Sequence, residues 1–96
     1  MSGFLVTSSE LRRKAEELRT INSQFKNSVT KLGNTEESLN SMWDGQANEM
    51  FHNAFMSDKG QMDEFASMIE KYCAALERIA AKYEEKERIN IELAKN

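Results

Sequence analysis

The feature that most constrains this chain is one turn sequence, Trp43-Asp44-Gly45, near the middle of 96 residues that contain no proline. Long segments with heptad-like apolar spacing flank it on both sides, and their wealth of Glu, Lys, Ala, Leu and Met favours uninterrupted helices. Glycine adopts positive φ without steric cost and suits a helix end, while Asp44 can cap the helix that follows. The chain is therefore predicted to reverse direction once, at residues 42–46.

The first helix is predicted to span about 8–41. Thr7 at the N-cap and Glu10 three residues later form a capping box, which marks its start. Gly33-Asn34 is its weak point and could kink it, but the apolar spacing keeps its phase there, which favours one helix over a three-helix alternative. The apolar residues that follow one face at spacings of four and three are Leu11, Ala15, Leu18, Phe25, Val29, Leu32 and Leu39.

The second helix is predicted to span about 46–90. Asp58 alone interrupts its apolar face, and after Tyr83 the face loses its apolar residues, so the charged end of the chain is expected to form a flexible tail to residue 96. The face consists of Phe51, Phe55, Met62, Phe65, Ile69, Tyr72, Leu76, Ile79 and Tyr83.

Together these segments predict a single all-α domain over residues 1–96, an antiparallel helix-turn-helix hairpin. Contact between only two helices leaves much of each apolar face open to water, and large open apolar surfaces usually mark an interface. A second hairpin would cover them and complete an elongated four-helix bundle. The residues expected at this dimer interface are Leu11, Leu18, Phe25, Phe51, Phe55, Phe65, Ile69 and Leu76.

Charge and composition exclude several partners. The net charge is −3, and the basic triplet at 12–14 is followed at once by Glu16-Glu17, so no basic face for nucleic acid is expected. No run approaches the roughly 20 apolar residues of a membrane span, so no stable membrane anchor is expected. The apolar run at 4–6 is too short for a signal peptide. Taken alone, these features predict a cytosolic protein.

Residues capable of chemistry are few, and none predicts catalysis. No titratable pair is placed for acid–base work and no glycine-rich phosphate loop is present, so neither an enzyme nor a cofactor is expected. Cys73 lies within a helical pattern and is interpreted as a small packing residue. Glu49 and His52 have the spacing of di-iron bundle ligands, but Phe51 holds the core position and turns both to its flank. A metal site is therefore not expected.

A known family matches these features. The midpoint Trp43-x-Gly45, the length and helical pattern, and Tyr83-x-x-x-Glu87 near the end resemble the WXG100 family, the small ESAT-6-like substrates of type VII (ESX) secretion systems. The resemblance implies an elongated antiparallel dimer, either of this protein with itself or with a related WXG100 protein. It also implies export of the folded dimer without a signal peptide, after recognition by an ESX-type secretion ATPase.

The resemblance also implies roles for residues. Tyr83 and Glu87 resemble the family's secretion motif, and at i and i+4 on a helix they share one face. The turn at Trp43 and Gly45 would lie near the partner's tail and form a composite export signal, in a virulence-associated protein or a component of the secretion system. The alternative is an intracellular coiled-coil adaptor or chaperone, in which Trp43-x-Gly45 is only a turn and Tyr83 only extends the apolar face.

Overall fold

The computed structural model describes residues 6–95, which form two helices and no strand. Helix α1 spans Ser8–Met42 and helix α2 spans Gln46–Lys95. They run antiparallel as one hairpin measuring 78 × 23 × 16 Å. The predicted all-α hairpin is thus confirmed, while residues 4 and 5 of the short apolar run lie outside the described residues.

Helix α1 begins with the predicted cap. The Thr7 hydroxyl oxygen accepts the backbone N–H of Glu10 at 3.1 Å, and the same hydroxyl donates to the Glu10 carboxylate at 3.0 Å. The helix then continues through Gly33, where an added Cβ would make an ordinary 3.5 Å contact with Lys59 Cε. The three-helix alternative is therefore wrong, because the apolar spacing stays in phase on both sides of that glycine.

The turn depends on Gly45. Trp43 is the C-cap of α1 in an extended conformation. Gly45 has a φ of +111°, a backbone conformation that residues with a side chain rarely adopt. The Gly45 carbonyl accepts the first bond of α2 from the N–H of Glu49 at 3.2 Å. Gly45 thus occupies the N-cap, and the expectation that Asp44 caps α2 is wrong, since Asp44 lies one residue too early.

Helix α2 continues to Lys95, past the end predicted near residue 90. Arg88 donates to Glu85 at 2.7 Å and to Glu92 at 2.9 Å, three residues before it and four after it. Such pairs support a helix. The predicted end is too early, because α2 continues where its apolar face ends.

The most enclosed part of the contact between the helices is formed mainly by small or polar side chains. Ala15, Cys73 and Ala80 are completely enclosed. Small side chains at such positions let two helices approach closely, so the large apolar side chains lie beside the contact rather than within it. Buried residues repeat every seven positions through most of the contact, and Asn48 near the turn is buried outside this repeat. The repeating residues are Ser8, Ala15, Asn22, Val29 and Glu36 in α1 and Ala66, Cys73 and Ala80 in α2.

Asn22 links the helices near the middle of this contact. Its side chain is 2% exposed, and its Nδ2 donates to the Ala66 carbonyl at 3.0 Å and to Glu70 at 3.3 Å. A buried amide with a partner in one alignment favours a single register of two helices. Neither of the described helices contains an apolar stretch long enough to cross a membrane.

Candidate recognition and assembly surfaces

The turn ends the hairpin in an aromatic pair. Trp43 is half-buried, and its ring centroid lies 5.9 Å from that of Phe51 on the first turns of α2. Phe51 is 44% exposed. The predicted turn residues therefore present a partly open aromatic surface at the tip, with Gly45 setting the path of the chain.

Two polar pairs close the hairpin behind this tip. Asn48 Nδ2 donates to Asn40 Oδ1 at 2.7 Å, and His52 Nδ1 lies 2.7 Å from a Glu36 carboxylate oxygen. Glu36 is 5% exposed, and a buried carboxylate is costly without a polar partner. His52 therefore serves as that partner across the hairpin. The expectation that Phe51 holds the core position and turns His52 to its flank is wrong, since Phe51 is the exposed residue.

One side of the hairpin carries an open row of large apolar residues, here called the apolar face. Its members in α2 recur at multiples of seven residues, and they are 42% to 53% exposed. Phe65 packs edge-to-face on Phe25 of α1, with ring centroids 5.7 Å apart. The α2 members are Phe51, Phe65, Tyr72 and Ile79, and the exposed α1 members are Leu32 and Leu39.

The eight residues expected at a dimer interface divide into two groups. Phe51 and Phe65 are exposed in the single chain and are therefore free to contact a partner. The other six already bury part of their surface inside the hairpin and leave the rest accessible. These half-buried residues are Leu11, Leu18, Phe25, Phe55, Ile69 and Leu76.

A row of ion pairs, here called the ion-pair row, joins the two helices. Arg12 Nε and Nη2 donate to the two carboxylate oxygens of Glu84 at 2.7 and 2.8 Å. The next pairs are Arg19 with Glu77, and Lys26 with Glu70 at 3.3 Å. The cations recur every seven residues in α1 and the acids every seven residues in α2.

This row is not among the predictions from the sequence, which considered the basic triplet at 12–14 only as a possible nucleic-acid surface. The signal was nevertheless in the sequence, as the sevenfold spacing of Arg12, Arg19 and Lys26. The hydrogen bond from Arg12 holds the pKa of Glu84 below its ordinary value, and the bond from Arg19 does the same to the pKa of Glu77. Both carboxylates are therefore ionised at neutral pH.

The predicted secretion motif lies beside the start of α1. Tyr83 is 40% exposed, and a Glu87 carboxylate oxygen lies 3.5 Å from the Ser8 hydroxyl. Trp43 lies at the turn before α2, whereas Tyr83 lies far along that helix. At 1.5 Å per helical residue the two are on the order of 55 Å apart. One hairpin therefore does not bring the turn and the tail motif together.

Solved structures with the same shape include EsxB, a secreted protein of Bacillus anthracis. Wild-type EsxB has a TM-score of 0.77 and 25% identity, over 86% of this chain and 89% of that one. A single-residue mutant of EsxB has a TM-score of 0.79 and 25% identity, over 88% and 96%. No curated protein matches the chain in sequence.

The family model WXG100, described as proteins of 100 residues with WXG, matches residues 3–88. The matched span contains both helical segments of the contact, the single turn and the Tyr83-x-x-x-Glu87 sequence. The turn that the family is named for coincides with the only reversal in the described chain, at Trp43-x-Gly45. This chain belongs to the WXG100 family.

Proposed function

We propose that this protein is a small, non-enzymatic substrate of a type VII, ESX-like secretion system, made in the cytoplasm and exported as a folded dimer. The observation that carries the proposal is the WXG100 match over residues 3–88, with Trp43-x-Gly45 at the hairpin's turn. The similar structures of EsxB, a secreted protein with the same hairpin, support the same role.

The dimer follows from the apolar face. Phe65 and Tyr72 leave half of their surface in water, which is a poor arrangement for an isolated chain and an ordinary one for half of a four-helix bundle. The partner is a second copy or a related WXG100 protein. An antiparallel pair of hairpins would also bring the turn and the tail motif together, because the turn of one protomer then lies beside the tail of its partner.

The export signal is assigned to Tyr83 and Glu87, read by the secretion ATPase together with the Trp43 turn of the partner. The partly exposed Tyr83 ring supports this assignment, since a receptor can reach it without unfolding the helix. Once outside, the protein acts in virulence or as a component of the secretion apparatus.

The test is quantitative detection of the protein in the culture medium of its source organism, with a cytosolic marker as the lysis control. Wild type is expected outside the cells, and Tyr83→Ala and Glu87→Ala inside them. Glu64→Ala serves as the matched control, because it removes an exposed carboxylate of α2 outside the motif. A strain without the secretion ATPase should retain all four proteins.

Retention of wild type together with the marker would contradict the proposal. That result would favour an intracellular adaptor or chaperone that uses the same apolar face. Export of Tyr83→Ala and Glu87→Ala at the wild-type level would instead contradict the assignment of the signal to the tail.

A further inference from the structure

The tail motif is held against the first two turns of α1. Arg12 engages both carboxylate oxygens of Glu84, immediately after Tyr83, and Ser8 approaches Glu87 at 3.5 Å. The two residues of α1, Ser8 and Arg12, lie about one helical turn apart, and so do Glu84 and Glu87 of α2. The segment 83–87 is therefore bound to α1 by the ion pair at Glu84 and lies against α1 again at Glu87.

These contacts contribute little to global stability. The side chains of Arg12 and Glu84 are 45% and 44% exposed, and exposed ion pairs are weak stabilising interactions. Their position gives them a local effect instead. Ser8 is the first residue of α1 and lies against Glu87. The α2 residues after Glu87 therefore extend beyond the start of α1. Helix ends without such neighbours fray, and Arg12 makes the last interhelical ion pair before that end among the described residues.

We infer that Arg12, assisted by Ser8, is a positioning residue for the export signal, and that the receptor reads the docked, helical form of 83–87. The inference rests on the proposed function. Tyr83 and Glu87 share a face only where the segment is helical. Holding that helix in place beforehand spares the receptor the entropy of ordering it. In the docked form both Glu84 oxygens are bound to Arg12, while Tyr83 stays accessible.

Arg19 offers a matched control. It forms the same type of ion pair, with Glu77, exactly one heptad farther from the tail. A substitution at Arg19 removes this contact and a second one to Glu70 at 3.7 Å, and it leaves the attachment of 83–87 intact. Any difference between the two arginines in export therefore reports on the tail rather than on the stability of the hairpin.

The experiment compares the secreted fraction of wild type, Arg12→Gln, Arg19→Gln, Tyr83→Ala and the charge exchange Arg12→Glu with Glu84→Arg. Arg12→Gln is expected to lower the secreted fraction several-fold, Arg19→Gln to leave it near wild type, and the exchange to restore it. Hydrogen exchange on the purified proteins should show faster exchange at residues 84–90 in Arg12→Gln only. The thermal midpoint of Arg12→Gln should be no lower than that of Arg19→Gln, because Arg19 pairs with both Glu77 and Glu70.

Four results would overturn the inference: export of Arg12→Gln at or above the wild-type level while Tyr83→Ala is retained, equal retention of both glutamine variants, failure of the charge exchange to restore export, or unchanged hydrogen exchange at 84–90. The first leaves the proposed function standing. Export of Tyr83→Ala at the wild-type level would contradict the tail signal itself, and with it this inference.

Discussion

Phe65→Ala tests the dimer through the apolar face. A phenylalanine offers about 200 Å² for burial, and Phe65 is 51% exposed, so about 100 Å² remains for a partner to cover. At about 25 cal/mol per Å² this area contributes about 2.5 kcal/mol per protomer, and about 5 kcal/mol for two copies in a homodimer. Because buried area converts incompletely into affinity, the expected effect is a dimer dissociation constant raised at least about 100-fold.

Sedimentation equilibrium measures this constant directly. At micromolar concentrations, the mass of wild type is expected to be twice the 11.0 kDa of one chain, and the mass of Phe65→Ala is expected to be that of one chain. Met50→Ala is the matched control, because Met50 is 68% exposed in a row of polar residues away from the apolar face. A wild type that stays monomeric would refute the homodimer, and an unchanged constant in Phe65→Ala would refute the assignment of the face.

Three further predictions concern the folded hairpin. Gly45→Ala should lower the free energy of unfolding by about 1–2 kcal/mol because of the positive φ there, whereas Gly60→Ala, within a helix and next to open space, should raise it by about 0.5–1 kcal/mol. Urea unfolding checks both, and the opposite order would contradict the turn geometry. Asn22→Ala should cost about 1–2 kcal/mol in the same assay by removing its bond to α2, and an unchanged midpoint would show that the bond is not formed. The lowered pKa of Glu84 means that its stabilising effect is complete above its ordinary pKa of 4.5 and is lost as the pH falls through the lowered value. Thermal unfolding between pH 6 and pH 2 should therefore show a smaller loss of stability on acidification in Glu84→Gln than in wild type, and parallel curves would refute this.

Local signals in the sequence predicted the parts of the fold that depend on neighbouring residues. The cap at Thr7 and Glu10 involves residues three apart, and the reversal at Gly45 depends on one backbone conformation, so both could be inferred without knowing the rest of the structure. The observed N-cap is Gly45, one residue after the predicted Asp44. Both residue types suit a cap, and only the path of the backbone decides between them.

The parts that were missed depend on how two helices meet. Apolar spacing gives the period of a contact, but it does not tell which edge of an apolar face turns inward. In α2 the enclosed residues along the middle of the contact are Ala66, Cys73 and Ala80, all outside the predicted apolar face. Only Cys73 was predicted to pack. The same uncertainty hid the ion-pair row, since Arg12 and Glu84 are 72 residues apart and meet only when the register of the hairpin is known.

The most direct test of the central claim is co-export of two tagged copies from one cell, one wild type and one carrying Tyr83→Ala. If the protein leaves as a folded dimer with a tail signal, the Tyr83→Ala copy should appear in the medium when wild type is present and stay inside when it is alone. Adding Phe65→Ala to the tagged Tyr83→Ala copy should abolish its export. Retention of the Tyr83→Ala copy beside an exported wild type that forms dimers with it would contradict export as a dimer.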